Sequence, residues 1–199
     1  MTVPQVRITG TVPAIGGPVH LATDASEDPR RVAGGYLSTT GHYGVHAHMY
    51  PRKASGVSRT VVAELRAVLW GLQDVLATIG ISRPVTVHTD STCALSYLHA
   101  WQQGSTHMPP GYRATRRSPG PRSLVELQQL AEYTPGLTFV HVKGHAGHPL
   151  NEAADYFARL GLRCSRGTVP RARVTELAPQ WARDSLTEFR TTRTREVNL

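Results

Sequence analysis

One amphipathic stretch in the middle of the chain constrains the fold more than any other feature. Apolar residues recur at helical spacing over residues 61–79, which predicts a long helix with one buried side. Before it, alternating apolar and polar residues predict a meander of three strands at 19–24, 31–38 and 42–50. After it, residues 85–90 predict a fourth strand. Because a helix separates this strand from the meander, we expect it to lie parallel to a neighbouring strand through a right-handed crossover.

The second half of the chain continues the alternation of helices and strands. Residues 91–103 and 123–133 are predicted helices, and residues 137–142 are a predicted strand. Residues 149–160 are a predicted helix that begins with a proline and that Gly161 terminates. The order βββαβααβα indicates an α/β fold.

Composition divides the chain into a central domain and two flanking segments. We expect one domain at residues 18–163, preceded by a loosely attached N-terminal arm at 1–17 that is rich in proline and glycine. A basic C-terminal tail at 164–199 contains one amphipathic segment after Pro179, which suits a helix. Within the domain, residues 104–122 hold four arginines and four prolines but no acid. We interpret this segment as a basic loop or protrusion that contacts phosphates, or else as a solvated connection.

The charge of the chain favours an anionic partner. Its 22 Lys+Arg against 14 Asp+Glu give a formal net charge of +8, and such a surplus is typical of nucleic-acid binding. Two cysteines without metal-binding spacing favour a reducing compartment. No apolar run is long enough to span a membrane, and the N-terminus shows no secretory signal pattern. We therefore expect a cytoplasmic protein with no membrane partner, and nothing in the sequence demands more than a monomer.

Four carboxylates stand where predicted elements open toward one edge of the sheet. Asp24 and Asp90 end two strands predicted to be parallel, while Glu64 and Asp155 lie in the early turns of two helices. Taken singly, Asp90 could cap a helix and Glu64 could lie at a solvated rim. Clustered, they would repel one another unless protonated or bound to cations, and oxygen ligands favour Mg²⁺ or Mn²⁺. Two such ions can hold the attacking water and the leaving oxygen of a phosphoryl displacement, which indicates a nuclease.

A glycine-flanked histidine lies between the last strand and the last helix of the domain. His145 stands between Gly144 and Gly147, so the backbone can bend sharply and the side chain can swing. Near a scissile phosphate, such a histidine suits proton transfer or product release. The alternative is a loop histidine with no task.

Three other histidines share one face of a predicted strand. His42, His46 and His48 alternate with apolar residues over 42–50. A metal site is one interpretation. We prefer the solvated outer face of an antiparallel sheet.

The motifs resemble those of the type 1 ribonuclease H family in their order along the chain. The resemblance covers about residues 19–162 and rests on Thr23-Asp24-Ala25-Ser26, Ala63-Glu64-Leu65, Thr89-Asp90-Ser91 and Val142-Lys143-Gly144-His145-Ala146-Gly147-His148-Pro149, followed by Asn151-Glu152 and Asp155. It implies a five-stranded mixed sheet, with three antiparallel and two parallel strands, flanked by helices. It also implies Mg²⁺-dependent cleavage of the RNA strand of an RNA–DNA hybrid, leaving 5′-phosphate and 3′-hydroxyl ends. We expect two ions per active site, with Mn²⁺ as a substitute.

The resemblance also implies a role for individual residues. It makes Asp24, Glu64, Asp90 and Asp155 the catalytic, metal-binding acids, and His145 the catalytic loop histidine. Residues 104–122 occupy the place of a basic protrusion that grips the DNA strand in many members. The expected substrate contacts are Trp101, Arg113, Arg116, Arg117 and Asn151.

The chain departs from the family pattern where the 2′-hydroxyl group is usually read. Thr60 and Val61 stand where polar amides are usual, and Thr92 stands where glutamine or asparagine is common. Because the 2′-hydroxyl distinguishes RNA from DNA, these positions leave the strictness of hybrid preference open. Two alternatives follow: a non-catalytic nucleic-acid-binding module on the same fold, and a DNA nuclease of the wider superfamily. The complete acid set argues against the first, and the motif at 143–149 argues against the second.

Overall fold

The structure, a computed structural model, describes residues 5–49, 57–112 and 122–197. The described residues form six strands and five helices. The strands are β1 (Val6–Thr11), β2 (Val19–Glu27), β3 (Arg31–Ser38), β4 (His42–Met49), β5 (Val85–Thr89) and β6 (Leu137–His141). The helices are α1 (Val57–Ile79), α2 (Thr92–Gln102), α3 (Ser123–Tyr133), α4 (Pro149–Ser165) and α5 (Arg171–Val197).

These strands form one mixed sheet in the order β1-β4-β3-β2-β5-β6. The first four strands of that order pair antiparallel, whereas β5 lies parallel to β2 and β6 lies parallel to β5. Helix α1 connects the meander to β5, which therefore runs parallel to β2 as expected for a crossover connection. The predicted α/β fold with a mixed sheet is confirmed, with one strand more than the five expected.

The additional strand, β1, comes from the segment expected to be a loosely attached arm. It pairs with β4 from Val6 opposite Ala47 to Thr11 opposite His42. Val6 and Ile8 are buried in the core beside α4 and α5. The expectation of a loose arm was wrong because so short a strand gains its stability from the edge of β4 and from the helices that cover it. Neither contact is visible in the local sequence.

Helices cover both faces of the sheet. On one face, α1, α2 and α3 enclose a core in which Leu65, Leu72 and Trp101 are fully buried. On the other face, α4 and α5 pack over the sheet with Leu150 and Phe157 fully buried. Burying a leucine or phenylalanine side chain stabilises a protein by roughly 1.5–3 kcal/mol. The two layers therefore fix the strand ends from which functional side chains project.

Helix α4 continues through the glycine that was expected to end it. A Cβ atom on Gly161 would lie 3.0 Å from Cγ1 of Val45 and 3.1 Å from the carbonyl oxygen of His46. The glycine therefore lets α4 approach β4 closely. The predicted end at residue 160 was wrong because Gly161 serves helix–sheet packing instead of a helix stop.

The C-terminal tail forms a long helix that docks on the domain. Helix α5 contains Pro179 and packs against α4, β1 and β4. Val174, Ala182, Leu186 and Phe189 are buried along this contact. The amphipathic segment is therefore helical, and its helix begins before the proline. Although α5 and α1 are long, no helix in the described part of the chain is both long and apolar enough to cross a membrane.

The histidine face of β4 packs under α1, which neither interpretation of the sequence anticipated. The ring of His46 stacks on Trp70 with centroids 4.5 Å apart, and Arg66 donates a hydrogen bond to Nε2 of His48 at 2.8 Å. Burial lowers the pKa of both histidines to about 4, and the charge of Arg66 also lowers that of His48. The solvated-face interpretation was wrong because α1 covers this part of the sheet.

Candidate active site

Two aspartates meet at the carboxyl edge of the parallel strands. Asp24 lies in β2 and Asp90 directly follows β5, and these two strands are neighbours. The cap of α2 is Ser91, whose Oγ accepts a hydrogen bond from the backbone N–H of Ala94 at 3.2 Å. The interpretation of Asp90 as a helix cap was therefore wrong. This edge is where ligands bind in open α/β sheets.

Helix α1 adds a third acid to this edge. Carboxylate oxygens of Asp24, Glu64 and Asp90, hereafter the acid cluster, lie within 4.8 Å of one another. Glu64 is only 5% exposed, so the solvated-rim interpretation was wrong. Within the described residues, Oε2 of Glu64 is buried without a hydrogen-bond partner. An unpartnered buried carboxylate oxygen is costly, and a hard cation would satisfy it, so the cluster fits Mg²⁺.

Burial and mutual repulsion dominate the electrostatics of the acid cluster. Burial, followed by the charges of Asp90 and Asp155, raises the pKa of Asp24 to about 8. The pKa of Glu64 also rises well above its ordinary value, through burial and then through Asp24 and Asp90. The backbone N–H of Ala25 donates to Oδ1 of Asp24 at 2.6 Å and opposes this rise only in part. At neutral pH the cluster therefore retains protons unless a cation replaces them.

Asp155 connects the acid cluster to the histidine loop. The negative charge of Asp155 contributes to the raised pKa of Asp24. One turn further along α4, Arg159 forms an ion pair with Asp155. Nδ1 of His145 lies 3.8 Å from Oδ2 of Asp155. Ligand atoms of His145, Glu152 and Asp155 lie within 4.8 Å of one another, so Asp155 borders a second group of possible ligands.

The loop between β6 and α4 lies against the acid cluster. A Cβ atom on Gly144 would lie 2.7 Å from Oδ2 of Asp90, so a residue with a side chain would displace the loop or the carboxylate. The backbone N–H of Val142 donates to the carbonyl of Thr89 at 3.0 Å. His145 has a φ of 52°, an uncommon left-handed conformation for a residue other than glycine. Its side chain is 73% exposed.

His148 fixes the end of this loop to the start of α4. Its Nδ1 accepts a hydrogen bond from the backbone N–H of Asn151 at 3.3 Å, so it caps the helix. In addition, Oε1 of Glu152 accepts from the backbone N–H of Gly147 at 3.4 Å, so the first turn of α4 also holds the residue before its cap. These two hydrogen bonds set the direction in which α4 presents Asp155.

Two of the predicted substrate contacts are buried. Trp101 is fully buried, and its Nε1 donates to the carbonyl oxygen of His107 at 2.8 Å. Asn151 is 2% exposed. Trp101 anchors the beginning of the 104–122 segment in the core, and Asn151 lies in the first turn of α4, so neither side chain is open to a ligand in this structure and their roles as substrate contacts stay predictions. The remaining predicted contacts lie outside the described residues: Arg113, Arg116 and Arg117.

The three positions that depart from the family pattern lie close to the acids in the chain. Thr60 is exposed one turn before Glu64, and its hydroxyl donates to Glu27 at 2.7 Å. Val61 is buried in the core. Thr92 is exposed two residues after Asp90. Two exposed hydroxyls, and no amide, are thus available at these positions.

Sequence reasoning overlooked three residues of this site. Glu152 and Arg159 lie three residues before and four residues after Asp155, a spacing that places side chains on one helix face. That spacing was the available signal for both. His148 is not among the usual capping residues, and its role follows only from the geometry of the loop.

The fold and the site together define a class of protein. A mixed α/β sheet with buried, clustered carboxylates at its carboxyl edge is suited to metal-assisted chemistry on phosphodiesters. The sequence model of the RNase H family matches residues 17–163 of the chain. The chain belongs to the RNase H family, and its homologues identify it as a ribonuclease H hydrolase.

Individual relatives support the same assignment. A Ribonuclease H of Saccharopolyspora erythraea is 31% identical over 150 residues, which cover 72% of this chain and 89% of the relative. A Ribonuclease H of Bordetella pertussis is 35% identical over 109 residues, covering 52% of this chain and 64% of the relative. A Ribonuclease HI of Caulobacter vibrioides is 36% identical over 86 residues, which cover 42% of this chain and 56% of the relative. The predicted family and enzyme class are confirmed, whereas the roles of single site residues stay predictions.

Proposed function

We propose that the chain is an endonuclease that hydrolyses the RNA strand of RNA–DNA hybrids with two Mg²⁺ ions, and that Mn²⁺ substitutes for Mg²⁺. The cleavage leaves 5′-phosphate and 3′-hydroxyl ends. The observation that carries this proposal is the convergence of three carboxylates within 4.8 Å at the carboxyl edge of the sheet. Membership of the RNase H family supports the choice of substrate.

The four acids hold the metal in this proposal. The ligands are Asp24, Glu64 and Asp90 together with Asp155 from α4. When bound, the ions supply Lewis-acid stabilisation of the charge that develops at the scissile phosphate. The acids themselves lose their retained protons on binding, since a cation removes the repulsion that raises the pKa of Asp24 and Glu64.

His145 moves a proton at the mouth of the site. In hydrolysis, the oxygen of a water molecule bonds to phosphorus and releases a proton to solvent, while the bond from phosphorus to the 3′ oxygen breaks and the 3′ oxygen takes up a proton. We expect the exposed imidazole of His145, whose Nδ1 lies 3.8 Å from Oδ2 of Asp155, to deliver that proton to the 3′ oxygen. The side chain of His145 is 73% exposed, outside the buried cluster.

Selection of RNA over DNA rests on groups other than the amides usual in the family. Val61 is buried and takes no part. The exposed hydroxyls of Thr60 and Thr92 are the groups beside the acids that can hydrogen-bond a 2′-hydroxyl. Because hydroxyl groups offer fewer hydrogen bonds than amides, we expect hybrid preference to be retained but weaker than in a chain with amides.

Cleavage assays on four labelled substrates test the proposal. RNA–DNA hybrid, double-stranded RNA, single-stranded RNA and double-stranded DNA are each incubated with Mg²⁺, Mn²⁺ or EDTA, and the product ends are mapped. We expect cutting of the RNA strand in the hybrid, loss of cutting in EDTA, and 5′-phosphate ends. Tight binding without cutting under either metal would instead favour the binding module, and cutting of duplex DNA would favour the DNA nuclease.

A further inference from the structure

A row of histidines connects α5 to the loop that carries His145. Nη1 of Arg193 in α5 lies 2.9 Å from Nε2 of His20, and Nδ1 of His20 lies 2.9 Å from Nε2 of His88. The ring of His88 in turn packs on the ring of His148, with centroids 4.9 Å apart. We call His20, His88 and His148 the histidine chain. It ends at the residue that caps α4.

The two hydrogen bonds that begin the histidine chain are both donated in the direction from α5 toward His88. Arginine can only donate, so Nε2 of His20 accepts and His20 carries its proton on Nδ1. That proton is donated to Nε2 of His88. Burial, then the charges of Arg193 and His148, lower the pKa of His20 and keep it neutral, as this pattern requires. Arg193 therefore sets the tautomers of His20 and His88, whereas the contact from His88 to His148 is ring packing.

Helix α5 also touches the end of the histidine chain directly. Phe189 packs against the ring of His148 with centroids 5.6 Å apart and against the ring of His20 at 5.5 Å. The guanidinium of Arg193 lies 5.9 Å from the centre of the Phe189 ring. One turn of α5 therefore holds the histidine chain at both ends, from a helix that lies beyond the family-matched residues 17–163.

We infer that α5 is a positioning element of the active site, with Arg193 and His20 as positioning residues that hold His148 and thereby the loop at residues 143–148. This inference rests on the proposed function, because that loop presents His145. It assigns to the C-terminal helix a task in catalysis in addition to its packing. Because a misplaced catalytic group costs rate more than it costs substrate binding, the effect is expected in kcat.

The chain offers a matched control for Arg193. Arg190 lies one turn earlier on α5, is exposed, and lines the same cavity of about 340 Å³ between α5 and residues 15–18. Arg193 is half-buried against His20. The two substitutions therefore remove the same charge at the same surface, but only one of them breaks the contact with the histidine chain.

The experiment compares Arg193→Ala, Arg193→Lys and Arg190→Ala in the full chain. For Arg193→Ala, we expect kcat on RNA–DNA hybrid with Mg²⁺ to fall about tenfold with KM within about twofold of the unchanged chain. Arg193→Lys retains a donor and should restore part of the loss, and Arg190→Ala should keep kcat within about twofold. Amide hydrogen exchange of the peptide containing residues 142–150 is measured in parallel without metal, and it should accelerate only in Arg193→Ala.

Each outcome bears on the inference separately from the proposed function. If Arg193→Ala folds and neither kcat nor loop exchange changes, or if Arg190→Ala changes both equally, the inference is overturned. If Arg193→Ala does not fold, kcat and the amide hydrogen exchange of residues 142–150 are measured instead in Arg193→Lys and in a His20→Ala variant. The inference is overturned if neither quantity changes in His20→Ala. If the unchanged chain cuts no hybrid, the proposed function fails, while faster loop exchange in Arg193→Ala would still establish the coupling of α5 to the loop.

Discussion

The acid cluster and the histidine chain are both buried groups of titratable side chains, yet burial acts on them in opposite directions. It raises the pKa of Asp24 to about 8 and lowers the pKa of His88 to about 3. In both regions burial favours the neutral form. Neutral imidazoles can share a hydrogen bond, as His20 and His88 do, whereas carboxylates this close repel. The histidine chain is therefore held by contacts within the protein, although Nδ1 of His88 has no hydrogen-bond partner among the described residues, and the acid cluster needs a proton or a cation to relieve its repulsion.

Removing one acid should give the largest effect. Asp24→Asn takes a ligand from the acid cluster and should lower kcat by at least about 10³-fold while binding of the hybrid persists. Because it also removes a repelling charge, its thermal midpoint in EDTA at pH 8 should equal or exceed that of the unchanged chain. Steady-state cleavage kinetics measure the loss of kcat, and thermal unfolding measures the change in midpoint.

The control for this substitution is Asp184→Asn, at an exposed position on α5. It should leave kcat unchanged. Full activity of Asp24→Asn would show that the acid cluster does not hold the catalytic metal.

Removing the loop histidine should cost less, because His145 assists a proton transfer that water can also perform. We expect His145→Ala to lower kcat by roughly 10- to 100-fold and to leave the Mg²⁺ requirement unchanged. Steady-state cleavage of RNA–DNA hybrid measures kcat. An unaltered kcat would show that His145 takes no part in the proton transfer.

The pH dependence of unfolding should separate the two regions. The folded pKa of Asp24, about 8, lies above its ordinary 3.8, so without a cation its contribution to stability is full below about pH 4 and is lost as pH rises through 8. The folded pKa of His88, about 3, lies below 6.5, so its contribution is present above pH 6.5 and is lost as pH falls through 3.

Thermal unfolding in EDTA and in Mg²⁺ measures this contrast. At pH 8, Mg²⁺ should raise the midpoint by several degrees, and Asp24→Asn should shrink that rise. Below pH 5, where Asp24 is protonated in the folded state, Mg²⁺ should have little effect. An equal effect of Mg²⁺ at both pH values would contradict burial and mutual repulsion as the origin of the raised pKa of Asp24.

The smallest effect concerns the ion pair between α4 side chains at the border of the acid cluster. Arg159 competes with a cation for Asp155, so Arg159→Gln should lower the Mg²⁺ concentration at half-maximal activity by about two- to fivefold. The effect is small because the Arg159 side chain is 56% exposed, and solvent screening limits its pairing energy to about 1 kcal/mol. A Mg²⁺ titration of kcat measures it. The matched control is Arg173→Gln, because the Arg173 side chain is 53% exposed and pairs with Glu176, far from the loop in sequence. A higher Mg²⁺ requirement in Arg159→Gln would show that the arginine supports the site.

The carboxylates could be found from the sequence because each stands at the boundary of a regular element. Asp24 and Asp90 end alternating apolar runs, and Glu64 borders a helical stripe. The crossover rule then places both strand ends at one edge. Local pattern and general topology were sufficient for this part of the site.

Trp101 and Asn151 show that residue type does not indicate burial. An aromatic residue beside a basic segment and an amide beside an acidic motif both suggest substrate contacts, but both side chains are buried. Gly161 misleads, because a glycine that permits close packing on β4 reads locally as a helix end. Burial depends on partners far away in the chain, which a local pattern does not contain.

By itself, the sequence determined the family, the α/β fold class, the positions of the four acids and the glycine-flanked loop, since these depend on spacing within short segments. Tertiary structure alone decided that residues 6–11 form a sixth strand, that α5 docks on α4, and that His20, His88 and His148 form a chain. Those contacts join residues between about 25 and 170 positions apart. Such pairings are selected by the packing of the whole core, and no local periodicity encodes them.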